Sequence, residues 1–166
     1  MRAFGLIGYP LGHSFSAGYF AKKFENENIN DCTYRNFPIE NISKLPEIIT
    51  ANPDLIGLNV TIPYKEQVIP FLDEINADAK DVGAVNTIKI SRNNTGYSIK
   101  GFNSDIFGFE QSLHPLLKDY HNKALILGSG GASKAIKYIL KKLNIEYISA
   151  SIEELKENEI HYENID

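Results

Sequence analysis

The 166-residue sequence is poor in the residues that would place a protein outside the cell or in a membrane. It has one cysteine, Cys32, and because a lone thiol cannot form an internal disulfide, a disulfide-stabilised secreted fold is excluded. No run approaches the roughly 20 apolar residues of a membrane span, and the amino terminus is interrupted too early for a secretory signal. We therefore expect a cytoplasmic protein in which Cys32 is a small buried side chain.

An excess of positive charge is also missing. The formal net charge is −4, whereas a nucleic-acid-binding surface needs a clustered positive field. Hydrophobic residues make up 43% of the chain, which is typical of a globular protein that buries a core. The sequence thus argues against nucleic-acid and membrane partners, indicates no metal site, and leaves a small molecule as the expected ligand.

Strand-like and helix-like segments alternate through the first hundred residues, which predicts an α/β fold with a parallel sheet covered by helices. The predicted strands cover residues 3–7, 33–37, 55–60, 85–91 and 97–102. Predicted helices cover residues 16–28 and 42–50, and two short helical segments fall between 64 and 81. The sequence from Arg92 to Gly96 is typical of a hairpin turn rather than a crossover.

A second unit is predicted to begin after Asn103. A helix over residues 104–113 leads into it, and strands over 123–127, 145–149 and 159–162 form its sheet. Residues 132–143 have the spacing of an amphipathic helix, and Asn144 is a suitable residue to end it. We therefore divide the chain into a domain of residues 1–103 and a domain of residues 104–166.

Polar residues lie at the end of the predicted central strand. Asn59 and Val60 are the last two residues of this strand, and Thr61 and Lys65 lie in the five residues after it. Parallel sheets bind ligands outside the carboxyl ends of their strands, and Pro63 fixes one φ angle in the turn. The segment therefore predicts a ligand site. The alternative is that Asn59 and Thr61 only stabilise the turn while Lys65 is a solvated surface charge.

Four further motifs occur in order along the chain. They cover Gly8 to Ser16, Gly83 to Thr87, Gly101 to Asp105, and Leu125 to Ser133. With the segment from Asn59 to Lys65, they resemble the shikimate dehydrogenase family over about residues 3 to 149. The resemblance implies a substrate-binding domain with a parallel sheet, followed by an incomplete Rossmann-like dinucleotide-binding domain. It also implies an NADP-dependent oxidoreductase of aromatic amino-acid (chorismate) biosynthesis, which interconverts shikimate and 3-dehydroshikimate.

Five residues are implied as contacts of the substrate. Ser14 and Ser16 lie two apart, so in an extended segment both hydroxyls would share a face and donate to the substrate carboxylate. Asn59, Thr61 and Asn86 match the residues that bind the ring hydroxyls in this family. An asparagine amide suits this role because it offers a donor and an acceptor together. Alternatively, Ser16 is the N-cap of the first helix, and Asn86 is a turn residue.

Lys65 and Asp105 match the catalytic pair of the family and are also implied as substrate contacts. When hydride leaves a carbinol carbon, the hydroxyl proton must pass to a nearby group. A neighbouring carboxylate favours the charged lysine, so we expect an ammonium that donates a proton during ketone reduction, with Asp105 orienting lysine and substrate. The alternative is a salt bridge that only joins the two domains.

A glycine loop is implied as the cofactor site because it follows a strand and opens a helix. Its residues are Gly128, Ser129, Gly130, Gly131, Ala132 and Ser133. In this family an arginine motif near the end of the next strand grips the 2′-phosphate of NADP, but this chain has Ser149, Ala150 and Ser151 there. NADP is thus the cofactor implied by the resemblance, and NAD is left open.

Family members are longer than this chain, which predicts a carboxyl-terminally truncated protein with an uncovered sheet edge. We expect such a chain to bind shikimate weakly and to turn it over poorly, and the uncovered edge leaves a homo-oligomer open. Two alternatives to shikimate dehydrogenase remain at this stage. One is a related quinate or aminoshikimate dehydrogenase, and the other is a catalytically silent fragment that lacks part of its cofactor domain.

Overall fold

A computed structural model describes residues 1–12, 14–151 and 159–165 of the chain. The strands are β1 Arg2–Gly8, β2 Cys32–Pro38, β3 Leu55–Val60, β4 Glu74–Ile75, β5 Thr87–Asn93, β6 Gly96–Phe102, β7 Lys123–Leu127, β8 Glu146–Ser151 and β9 Glu159–His161. The α-helices are α1 Ser16–Asn26, α2 Leu45–Ala51, α3 Tyr64–Gln67, α4 Ala77–Val82, α5 Ser104–Leu113 and α6 Gly131–Lys142. Among these residues, no helix combines the length and the apolar character needed to cross a membrane.

The first six strands form one mixed sheet in the order β2-β1-β3-β5-β6-β4. Strands β1, β2 and β3 are parallel, as predicted, and β4 is parallel to β6. Strand β5 is antiparallel to both of its neighbours, β3 and β6. It is therefore reversed relative to the other five strands, so its amino end lies at the edge of the sheet where β1, β3 and β6 end.

The main core lies on one face of this sheet, under the short helices. Apolar residues of β1, β3, β5 and β6 pack there against Leu45 and Ile49 of α2 and against Val68. Leu45, Ile49 and Val68 are fully buried. On the other face, α1 packs against β2 through Phe20, whose ring stacks on that of Tyr34 at 4.5 Å. The predicted stripe of Phe20 and Phe24 faces the sheet, and both half-buried side chains line an apolar cavity with Phe4 and Tyr34.

The second sheet contains β7, β8 and β9, all parallel, in that order. Helix α6 covers one face through Leu140, which packs with Ile126 and Ile145. On its other side α6 packs against α4 and α5, where Val82 and Ile106 contact Ile139. The helix ends as predicted, because Asn144 has a φ of 55° and the Ile145 amide turns back to the Leu140 carbonyl.

The two short helical segments predicted between residues 64 and 81, broken near Pro70, are present as α3 and α4. Between them the structure also has a 3-10 turn at Ile69–Phe71 and the short strand β4, which was not predicted. Pro70 lies in that turn, and the Asp73 amide then bonds the Ile99 carbonyl, which draws the chain into the sheet edge. Cys32 is half-buried rather than buried, since β2 is an edge strand.

Candidate active site

A cleft of about 750 Å³ opens at the edge of the first sheet where β1, β3 and β6 end. All seven residues that the sequence predicts as substrate contacts line it: Ser14, Ser16, Asn59, Thr61, Lys65, Asn86 and Asp105. Six of them follow or end a strand whose carboxyl end lies at this edge. Asn86 instead precedes β5, and it reaches the same place because β5 runs in the opposite direction.

Lys65 and Asp105 are in direct contact in this cleft. The Lys65 Nζ lies 2.6 Å from the Asp105 Oδ2, and the side chains are 17% and 34% exposed. Lys65 lies in α3, directly after β3, and its carbonyl accepts a hydrogen bond from the Val85 amide at 2.7 Å. The pair is therefore mostly shielded from water, and its ammonium and carboxylate both lie in the cleft.

Asn103 fixes the position of Asp105. It is the N-cap of α5, and its side-chain oxygen accepts from the amides of Asp105 and Ile106. Its Nδ2 donates to the Ala84 carbonyl at 2.9 Å. Because both ends of the buried carboxamide are bonded, the first turn of α5 is tied to the loop that carries Asn86.

The Asn86 side chain is buried, and hydrogen bonds to its oxygen fix which end of the amide faces the cleft. Its Oδ1 accepts from the Ser104 backbone amide at 2.8 Å, from the Ser104 hydroxyl at 3.1 Å, and from the Thr87 hydroxyl at 3.0 Å. A backbone N–H can only donate, so the oxygen must point toward Ser104. The amide nitrogen of Asn86 is then the group that remains for a ligand.

Asn59 is held from behind the cleft by a residue of another strand. The Tyr34 hydroxyl, on β2, donates to the Asn59 Oδ1 at 2.8 Å. Burial raises the pKa of Tyr34 to about 12, although the Ser16 hydroxyl opposes this shift. The phenol therefore stays protonated and can donate to Asn59.

Ser14 and Ser16 both line the cleft, although not for the predicted reason. Phe15 between them has helical backbone angles, so the segment is not extended. Phe15 also occupies the N-cap of α1 and Ser16 begins the helix without capping it, so the prediction of a Ser16 cap was wrong. The Ser14 hydroxyl is buried and has no hydrogen-bond partner among the described residues. Such a group is costly unless a ligand satisfies it.

Thr61 is fixed by its backbone rather than by its side chain. Its amide donates to the Ile7 carbonyl at 3.0 Å, and its carbonyl accepts from the Tyr64 amide at 2.9 Å. These bonds continue the β1 and β3 pairing for one residue beyond β3 and start the turn into α3. Thr61 lines the cleft together with Lys65.

The glycine loop has the geometry expected of a diphosphate-binding turn. Gly128 has a φ of 116°, which favours glycine, and a side chain on Gly130 would meet open space. Helix α6 begins at Gly131 with no side-chain cap on its first amides, so its positive end is available to an anion. Ser133 is buried and donates to the Gly130 carbonyl at 2.7 Å, which holds the loop against the helix. These residues fit the diphosphate of a dinucleotide.

The glycine loop also lies against the cleft. A Cβ added to Gly131 would be 3.3 Å from the Cβ and the Cδ of Lys65. Next to this contact, Lys134 of α6 forms an ion pair of 2.6 Å with Glu66 of α3. The start of α6 and the lysine of the cleft are therefore neighbours, as a shared reaction site would require.

The residues that stand where the family has its arginine motif are the end of β8. This strand runs through Ser151, two residues beyond its predicted end, and Ser149 and Ser151 are buried within it. Ser149, Ala150 and Ser151 therefore bring no cationic side chain to the end of this strand. The residues that follow the strand, 152–158, lie outside the described part of the chain. Lys134, near the start of α6, is paired with Glu66.

Sequence reasoning missed three residues that support the site: Tyr34, Asn103 and Ser104. An asparagine directly before a predicted helix is a standard N-cap signal, so Asn103 could have been identified from the sequence. Ser104 could have been found only as a neighbour of that cap. Tyr34 had no signal at all, because its contact with Asn59 joins strands that are separated by 25 residues in the chain and by β1 in the sheet.

The fold and the cleft together define a class of α/β proteins in which a substrate-binding sheet precedes a Rossmann-like sheet. Residues 6–88, half of the chain, match the family described as the shikimate dehydrogenase substrate binding domain. The chain therefore belongs to the shikimate dehydrogenase family, in agreement with the resemblance found in the sequence.

Individual relatives carry the same name. The chain is 45% identical over 148 residues to the NADP(+) shikimate dehydrogenase of Dictyoglomus thermophilum, covering 88% of this chain and 50% of that protein. It is 42% identical over 142 residues to that of Staphylococcus aureus, covering 84% and 51%. The chain thus spans about half the length of the curated relatives it matches.

Solved structures agree with this assignment. Shikimate dehydrogenase 1 of Peptoclostridium difficile has a TM-score of 0.81 and 38% identity, over 97% of this chain and 61% of that one. A Thermus thermophilus shikimate 5-dehydrogenase, solved with NADP(H) and shikimate, has a TM-score of 0.75 and 27% identity, over 92% and 56%. The likeness covers both sheets, so the predicted α/β fold with a Rossmann-like second unit is confirmed.

Proposed function

We propose that this chain carries the substrate site, and the first part of the NADP site, of a shikimate dehydrogenase. The observation that carries the proposal is the Lys65 and Asp105 pair, in contact at 2.6 Å inside a cleft that the five other predicted substrate contacts also line. In this proposal residues 1–103 form the shikimate-binding domain and residues 104–166 belong to the NADP-binding domain.

The chemistry of the cleft matches a small cyclic acid that carries several hydroxyls. Ser14 offers a buried hydroxyl that has no partner within the described part of the chain, Ser16 lines the same cleft, and these neutral donors suit a carboxylate. The amides of Asn59 and Asn86 and the Thr61 hydroxyl suit ring alcohols. A site built this way rejects an analogue that lacks a hydroxyl, because its own polar groups would then be left unpaired.

Lys65 and Asp105 handle the proton in this proposal. During ketone reduction the Lys65 ammonium donates a proton to the oxygen that becomes the alcohol, and during oxidation the amine accepts it. Asp105, at 2.6 Å, accepts from the ammonium and orients it. The proton then exchanges with water at the partly exposed side of the pair.

A nicotinamide dinucleotide would exchange hydride with the carbinol carbon of the substrate. The residues proposed to hold it are Gly128 to Ser133, through the open loop and the amino end of α6. Gly131 lies against Lys65, which supports a shared site for cofactor and substrate. The choice of NADP over NAD rests on the relatives, which are named as NADP(+) shikimate dehydrogenases.

The proposal is tested by titrating shikimate into the ¹⁵N-labelled chain and following the amide signals. We expect shifts confined to the cleft and a Kd on the order of 1 mM, corresponding to about −4 kcal/mol. Lys65→Met should weaken binding about tenfold, since it removes a charged donor. Lys100→Met is the matched control, because Lys100 forms an exposed ion pair with Glu74 outside the cleft.

A parallel assay follows NADP+ reduction at 340 nm with shikimate as the substrate. Any shikimate-dependent rate should be lost in Lys65→Met and kept in Lys100→Met. Quinate is titrated in the same way as a competing substrate. Tighter binding of quinate than of shikimate would reassign the specificity, and the absence of binding by either acid at 20 mM or so, far above the expected Kd, would refute the proposal.

A further inference from the structure

Tyr34 stands directly behind the cleft. Its ring lies flat on that of Phe20, with the centroids 4.5 Å apart and the planes 11° apart. On one side it forms part of an apolar cavity of about 370 Å³, together with Phe4 and Phe24. On the other side its hydroxyl reaches Asn59, which lines the cleft. The ring therefore packs as a core residue while the hydroxyl points toward the site.

The hydroxyl of Tyr34 determines which end of the Asn59 amide faces a ligand. It donates to the Asn59 Oδ1 at 2.8 Å, and because a phenol has a single proton, that proton is committed to Asn59. With the oxygen bonded from behind, the Nδ2 of Asn59 is the end left for the cleft. An amide that is free to rotate would instead present either end.

We propose that Tyr34 is a positioning residue that holds the Asn59 carboxamide with its nitrogen toward the cleft. Asn59 then serves as a hydrogen-bond donor to an oxygen of the ligand, and a group that can only donate is rejected at that position. The identity of the ligand as a polyhydroxylated cyclic acid rests on the proposed function, but the orientation of Asn59 does not.

Asn86 provides a comparison within the same cleft. It is oriented in the same sense, with its oxygen bonded away from the cleft, but by the backbone amide of Ser104. No side-chain substitution removes that donor. The two amides thus offer matched N–H donors, one held by main chain and one held by the Tyr34 hydroxyl.

The orientation is tested without any ligand, by NMR relaxation of the side-chain amide groups. Tyr34→Phe removes the hydroxyl and keeps the ring that stacks on Phe20. We expect the Asn59 NH₂ signals to shift and to show increased mobility in Tyr34→Phe, while those of Asn86 are unchanged. Tyr97→Phe is the control, since Tyr97 is a half-buried tyrosine on β6 that does not line the cleft.

The consequence for binding is tested by a double-mutant cycle with shikimate. We expect Tyr34→Phe to weaken binding about fivefold, the size of one net hydrogen bond. In an Asn59→Ala background, where no amide remains to be oriented, the same substitution should have an effect of less than about twofold. A merely structural role of Tyr34 would give the same loss in both backgrounds.

The outcomes separate this proposal from the proposed function. An Asn59 amide that is as rigid in Tyr34→Phe as in the unmodified chain overturns the positioning role, whatever the chain binds. Equal losses in the two backgrounds also overturn it and leave the shikimate site intact. If the unmodified chain does not bind shikimate but Asn59 becomes mobile in Tyr34→Phe, the positioning role stands and the proposed substrate is wrong.

Discussion

At the residue scale, the cleft depends on polar side chains that hold other side chains rather than on the predicted contacts alone. Tyr34 bonds Asn59, Ser104 bonds Asn86, and Asn103 bonds the amide of Asp105. Each supporting group is bonded to a site residue that also lines the cleft. A functional group held in this way keeps one geometry, which is what binding and proton transfer require.

Substituting Asn103 by alanine should affect both the stability and the site. We expect a loss of about 1–2 kcal/mol in the free energy of unfolding, because the N-cap of α5 and the bond to Ala84 both disappear. Shikimate affinity should also fall, because Asp105 is no longer anchored. Urea denaturation and NMR titration measure the two effects.

Asn76→Ala is the matched control for this cap. Asn76 caps α4 by accepting from the Asp78 amide, and it is a half-buried residue that does not line the cleft. It should cost stability without changing shikimate affinity. Equal effects of both substitutions on binding would show that Asn103 has no specific role in placing Asp105.

The raised pKa of Tyr34 predicts a loss of stability at high pH. With a folded pKa of about 12 and an ordinary value of 10.0, the unfolded chain releases the phenol proton first. The stabilisation is therefore fully present below pH 10 and is lost as the pH rises toward 12, by about 1–2 kcal/mol for this partly buried group. Urea denaturation between pH 8 and 11 should show a steeper decline for the unmodified chain than for Tyr34→Phe. Parallel curves would contradict the assignment.

At the scale of elements, the reversal of β5 is what assembles the site. The β5 and β6 hairpin delivers Asn86 before its first strand and Asp105 after its second, both at the same edge of the sheet. The far end of the hairpin is tied down as well. There, the Arg92 guanidinium donates to the carbonyls of Ile49 and Asn52 at the end of α2.

Arg92→Met should therefore loosen the contact between β5 and α2. We expect a loss of about 1 kcal/mol, because a charged donor at a helix carboxyl end satisfies carbonyls and interacts with the helix dipole. Arg2→Met is the control, since the Arg2 and Asp31 pair is mostly exposed and such pairs contribute about 0–1 kcal/mol. Thermal unfolding compares the two variants, and a larger loss for Arg2→Met would contradict the role given to Arg92.

At the scale of the whole molecule, the two sheets are joined beside the cleft. Apolar residues of α4, α5 and α6 pack together, and Lys134 pairs with Glu66. Gly131 lies so close to Lys65 that a side chain there would press on the lysine. The approach of the second unit thus helps to shape the first unit's site.

Gly131→Ala should test this coupling. The added methyl group would sit 3.3 Å from two Lys65 carbons, so the lysine must move by a few tenths of an ångström. We expect shikimate affinity to fall by about threefold to tenfold, because small misplacements of a polar group weaken its bonds, with little change in stability. Gly108→Ala in α5 is the control, since a methyl group there meets open space. Unchanged affinity in Gly131→Ala would show that Lys65 adapts freely.

Much of the fold followed from local pattern. Helix α5 and strands β3 and β7 match their predicted bounds, and the hairpin and the end of α6 at Asn144 were also correct. The failures share a cause. Strand β4, the helical conformation of Phe15 and the extension of β8 through Ser151 all depend on contacts with segments far away in the sequence.

The sequence by itself determined the chemistry of this protein: an ordered set of hydroxyl, amide, lysine and aspartate residues after predicted strands, and a glycine loop between a strand and a helix. These features are local, and the residue types at strand ends carry them. Only the tertiary structure decided that Lys65 meets Asp105, that Asn86 arrives on a reversed strand, and that Tyr34 holds Asn59. Those contacts join positions 40, 18 and 25 residues apart, and the order and direction of strands in a sheet, not local propensity, bring them together.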